Sequence, residues 1–115
     1  MKTKIKEITG DIIIFENGYK LYSHHNKDCC ENHWLDFEHL KKEDYQDLEF
    51  DLSNDDFFTR IENYGISLNA TNNFPLRIPG YGSNNGYYSS NLKLILEVDR
   101  GKREYDVSEC QVINE

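Results

Sequence analysis

Apolar and polar residues alternate from Lys4 to Ile8, and beyond Thr9-Gly10-Asp11 the run Ile12 to Phe15 is rich in β-branched side chains and too short for a helix. Asn17-Gly18 follows. Both residues tolerate the positive φ of a type I′ turn, so Tyr19 to Ser23 is expected to return antiparallel to Ile12–Phe15. Phe37, Leu40, Tyr45, Leu48 and Leu52 then recur at roughly helical spacing behind Asp36, an N-cap residue type, which predicts a helix over 37–50. Phe57 to Ala70 regains β character, Asn72-Asn73 reads as a turn, and Phe74 to Ile78 reads as a strand that Pro75 marks as an edge or a first residue. Pro79 to Gly86 reads as a turn-rich loop. Leu92, Leu94, Leu96 and Val98 alternate with Lys93 and Glu97 as in a half-buried strand, Asp99 to Lys102 turns, and Tyr105, Val107 and Val112 supply a last strand. The pattern shows no repeat or linker. It predicts one α+β domain over residues 1–115, a mostly antiparallel sheet or partly closed barrel with one helix.

Composition sharpens this picture. With 115 residues the chain fits one domain, which buries roughly two thirds of its unfolded surface. Aromatic residues make up 13% and supply large groups for a core in an otherwise hydrophilic chain. The 21 acidic residues against 13 basic ones give a net charge of −8, which repels nucleic-acid backbones and anionic membrane surfaces alike. Direct binding to either is therefore excluded from the expected functions. A basic groove on another protein is attracted instead, above all by Glu43 to Asp56, which holds seven acidic residues and no basic one. The chain has no long apolar run, and its start, Met1-Lys-Thr-Lys-Ile-Lys6, enters the alternating pattern rather than a signal peptide, so a cytoplasmic location is expected. Three cysteines, two of them adjacent, are expected as reduced thiols.

The densest chemistry lies between His24 and His33, where three of four histidines and two of three cysteines fall within ten residues. Thiolates and imidazoles are zinc ligands, and His25, Cys29, Cys30 and His33 form the candidate set, although their spacing matches no zinc finger. The same residues offer a cysteine nucleophile, with His25 or His33 lowering its pKa and Asp28 or Glu31 orienting the imidazole. Against both stands a structural turn in which one cysteine packs as a small hydrophobe. Asp51 to Glu62 carries oxygen ligands at calcium-loop positions, but Asp56 stands where that loop needs glycine. Gly80 to Gly86 has the wrong spacing for a phosphate loop and leads into a strand. A small-ligand reading suits Tyr81 to Ser89 better: Tyr87 and Tyr88 stack on a ring while Ser83, Asn84, Asn85 and Ser89 bond its edges.

Two segments together, Asp28-Cys-Cys-Glu31 and Ser83-Asn-Asn-Gly-Tyr-Tyr-Ser89, resemble the paired signatures of a small family found mainly in tailed bacteriophages and in bacteria carrying them. An extra asparagine, Asn84 or Asn85, interrupts the second signature. The resemblance implies a phage or prophage setting and a site shared between Asp28, Cys29, Cys30, Glu31 and Ser83, Asn85, Gly86, Tyr87, Tyr88, Ser89. The expected function is an accessory binding protein without a cofactor, countering host defence by sequestering a nucleotide-like small ligand or by blocking a host protein. The alternative is a zinc-binding or cysteine-dependent enzyme centred on Cys29 and Cys30 with His25 and His33. Self-assembly into a homo-oligomer stays open.

Overall fold

The computed structural model describes residues 2–24, 32–83, 92–108, 110 and 112–114. Eleven strands run through them: β1 (Lys2–Thr9), β2 (Ile12–Phe15), β3 (Lys20–His24), β4 (Asn32–Leu35), β5 (Glu49–Asp51), β6 (Phe58–Ile61), β7 (Gly65–Leu68), β8 (Leu76–Ser83), β9 (Lys93–Val98), β10 (Gly101–Asp106) and β11 (Val112–Asn114). The α+β expectation is overturned. Among the described residues no helix reaches seven residues, and the sheet curls into a half-barrel.

The predicted helix over 37–50 is replaced by a turn, one helical turn and a strand. Asp36 caps only the first turn, accepting from the His39 N–H at 3.4 Å, and the one helical turn is α1 (Lys42–Tyr45). Beyond it Leu48, Phe50 and Leu52 are all buried, a period of two. Phe50 is the residue a helical reading skips. It packs edge-on against Phe15 with ring centroids 6.1 Å apart, and β5 pairs antiparallel with β1 through Thr3–Phe50. A free strand edge and a period-two apolar face outweigh helix propensity here.

One sheet is ordered β10-β9-β3-β2-β1-β5, the other β11-β8-β7-β6 with β4 also on β8. Buried residues of both, Phe15, Leu21, Phe50 and Leu96 from the first and Leu35, Ile66, Leu68 and Ile78 from the second, join in a single core. The expected Asn17-Gly18 hairpin forms, with Ile13 opposite Leu21. Its turn differs from type I′, for Gly18 has φ +92° while Asn17 is not among the positive-φ residues, and Asn17 instead accepts from the Tyr19 N–H through its side chain. The loop is thus a three-residue turn closed by a left-handed glycine.

The predicted loop over 79–86 is strand as far as Ser83. β8 changes partner in its middle: Leu76 to Pro79 pairs with β7, and Gly80 to Ser83 with β4. Tyr81 to Ser83 also carries β11 in parallel on its other edge. Pro79, which lacks an N–H, stands at the changeover. The crossing is close, because a Cβ on Gly65 (φ +150°) would lie 2.1 Å from the Ile78 carbonyl oxygen.

Candidate functional site

The β4–β8 ribbon sets out the site. Register pairs Asn32 with Ser83, His33 with Gly82, and Trp34 with Tyr81. Side chains alternate along a strand, so His33 turns into the core, 4% exposed, while Trp34 and Tyr81 share the other face with ring centroids 5.8 Å apart and planes tilted by 42°. Leu35 donates its N–H to Ser23 Oγ at 3.2 Å, and Asp36 donates its N–H to the Pro79 carbonyl at 2.8 Å. These two bonds fix where the chain leaves the ribbon and turns.

That turn places Asp36, Glu38 and His39 beside the two rings. The β1–β2 turn brings Asp11 to the same place through a two-residue loop whose Gly10 has φ +59°. Together with Pro79 and Gly82 these residues line an open groove of about 770 Å³. Asp36 is largely buried, its side chain 12% exposed, and its Oδ2 lies 2.7 Å from Nδ1 of the exposed His39. This hydrogen bond, with the carboxylate charge behind it, raises the pKa of His39. Asp11 is raised as well, first by burial and then by repulsion from Glu38 and Asp36. Among the described residues, three carboxylates therefore share the groove with one imidazole, and no lysine or arginine lines it.

Of the residues expected from sequence, His25, Asp28, Cys29, Cys30, Glu31, Asn84, Asn85, Gly86, Tyr87, Tyr88 and Ser89 lie outside the described residues. Their flanks are described. The segments 25–31 and 84–91 are bounded on one side by the pair His24–Lys93 and on the other by the pair Asn32–Ser83. The Trp34–Tyr81 pair lies two residues along the ribbon from Asn32–Ser83. Among the described residues no group of three or more His, Cys, Asp or Glu side chains is arranged to hold a metal ion. Asp51, first in the calcium-loop pattern, accepts from the backbone N–H and hydroxyl of Ser53, and the loop continues into a 3₁₀ turn and β6. Cys110 is fully buried, and burial pushes its thiol up to about 11, an unreactive core cysteine.

The groove residues Asp11, Trp34, Asp36, Glu38, His39 and Tyr81 were not singled out together by sequence reasoning. One signal was present: Asp36 and His39 stand three apart, the spacing of a capped turn whose cap also reaches a side chain. No helix among the described residues is long and apolar enough to cross a membrane. No curated protein and no solved structure matches the chain. Residues 1–94, which contain the whole groove, match the family described as domain of unknown function DUF7448, and the chain belongs to that family.

Proposed function

We propose that the protein acts by binding rather than turnover, and that the groove between Trp34, Tyr81 and Asp36 is where it holds its partner. The observation that carries this reading is the convergence of two aromatic rings with three carboxylates in a groove of about 770 Å³, within the volume range of ligand sites. Among the described residues no cysteine, serine or threonine lines the groove beside His39. Charge chooses between the two versions of a counter-defence role. A nucleotide phosphate would meet Asp11, Asp36 and Glu38, whereas a basic surface on a host protein would be attracted by them and by the net charge of −8. Blocking a protein is the better supported version.

Trp34 is the single tryptophan of the chain, so its fluorescence reports on the groove alone. Anionic nucleotides, neutral aromatic compounds and organic cations, titrated in turn, are expected to include a class that shifts Trp34 emission and raises the melting temperature by mass action. Emission unmoved by all three classes would remove the groove as the binding site.

A further inference from the structure

We infer that the group bound in the groove is a guanidinium, the head of an arginine, with its plane against the Trp34–Tyr81 wall and its N–H edges on the carboxylates of Asp36, Asp11 and Glu38. The inference rests on the binding reading above and names its chemistry. Four observations lead to it.

Among the described residues, negative groups in the groove outnumber positive ones. The one basic side chain that these residues contribute to the lining is His39, which lies 2.7 Å from Asp36 and offsets Asp11 only in part, so three carboxylates face a single imidazole. The repulsion is felt inside the groove, since Glu38 and Asp36 both contribute to holding Asp11 above the ordinary carboxylate range. An incoming cation relieves it.

The space suits an organic cation rather than a metal ion. About 770 Å³ far exceeds what a bare ion fills, and among the described residues none of the acidic or histidine side chains are grouped to hold one. The carboxylates also come from two directions, Asp11 from the β1–β2 turn and Asp36 with Glu38 from the turn after β4. A ligand with several diverging donors can reach both.

The aromatic wall selects among organic cations. A guanidinium is planar, stacks on an indole or phenol face, and presents donors in a fork that matches carboxylates, while an ammonium is a strongly hydrated point charge that gains less from a ring face. Trp34 and Tyr81, held opposite each other in the strand register, give that wall a fixed orientation.

Free arginine and an arginine side chain share this head group, and the groove distinguishes them. The α-carboxylate of free arginine would enter the field of Asp11, Asp36 and Glu38, whereas an arginine within a polypeptide carries no charge there.

Trp34 fluorescence titrations with methylguanidinium, methylammonium and the neutral methylurea test the head group. Methylguanidinium is expected to saturate at the lowest concentration and methylurea to have no effect. In the doubly substituted Asp11→Asn/Glu38→Gln protein, altered only at exposed positions, binding is expected to weaken about tenfold, the scale of two exposed charge contacts. An arginine tripeptide blocked at both ends is expected to bind more tightly than free arginine, and the reverse order would assign the site to a free small molecule carrying the same head group. Methylguanidinium binding no better than methylammonium, or indifference to Asp11→Asn/Glu38→Gln, overturns the inference. In that event a response of Trp34 to nucleotides or neutral rings would leave the binding reading standing, and silence toward every class would remove both.

Discussion

Asp36 and His39 show how one residue pair decides the character of the groove. The His39 pKa is raised by its hydrogen bond to Asp36 and then by the charge of that carboxylate, with smaller contributions from Glu38 and Asp11. A histidine with a raised folded value stabilises the fold fully below its unfolded value of about 6.5, and the contribution is lost as pH rises through the folded value. In Asp36→Asn the carboxylate charge is removed and the hydrogen bond becomes one to a neutral acceptor, so His39 should titrate at lower pH. Proton NMR of the imidazole, followed against pH in both proteins, checks this, and identical titrations would mean that the 2.7 Å contact does not form in solution. The same titration bears on the ligand, because neutral His39 no longer offsets the charge of the Asp36 carboxylate and cation binding should tighten as pH rises. At this scale sequence gave partial guidance. Asp36 was recognisable as a cap, but Asp11 meets it only through the β1–β2 turn, and separation along the chain hides that encounter.

At the scale of elements, what could be read depended on which period a segment obeys. Ile12 to Phe15, the Asn17-Gly18 turn and Leu92 to Val98 declare themselves by alternation or by turn chemistry, and all three form as strands and hairpin. The segment from Phe37 to Leu52 satisfies two periods at once. Its apolar residues can be counted at helical spacing through Leu48 and Leu52, yet Leu48, Phe50 and Leu52 also alternate. Pairing of β5 with the edge of β1 resolves the conflict, and that pairing is non-local, so the local pattern does not contain it. Phe50 is then a keystone of the packing. Truncating it in Phe50→Ala should cost about 3–5 kcal/mol, the usual range for a fully buried phenylalanine. Urea denaturation of the two proteins measures the difference. A loss below about 1 kcal/mol, the scale of surface positions, would mean that Phe50 is not packed in the core in solution.

The whole molecule is closed by strands that the family match does not reach. The match ends at residue 94, two residues into β9, while β9 pairs with β3 along Lys20–His24 and with all six residues of β10. Beyond residue 94 lie Leu96, Val107 and Cys110, each fully buried in the shared core. The later segment also ties the second sheet, since β11 lies in parallel on β8 and the Cys110 carbonyl accepts the Tyr64 N–H at 2.8 Å. The groove itself uses none of these residues. A fragment of residues 1–94 would thus keep every groove residue and still open the β3 edge and remove three core side chains. Leu96 alone, cut to alanine, is expected to cost about 2–5 kcal/mol, against a total stability of about 5–15 kcal/mol for a domain. Losing it with Val107, Cys110, β10, β11 and most of β9 exceeds that margin. The 1–94 fragment should accordingly show a collapsed amide spectrum, no cooperative thermal transition and no response of Trp34 to methylguanidinium, whereas the full chain shows all three features of a folded, ligand-competent protein. A well-dispersed spectrum and a sharp melt from the fragment would show that β1 to β8 form a self-sufficient unit, and that β10 and β11 are an addition to the fold rather than its closure.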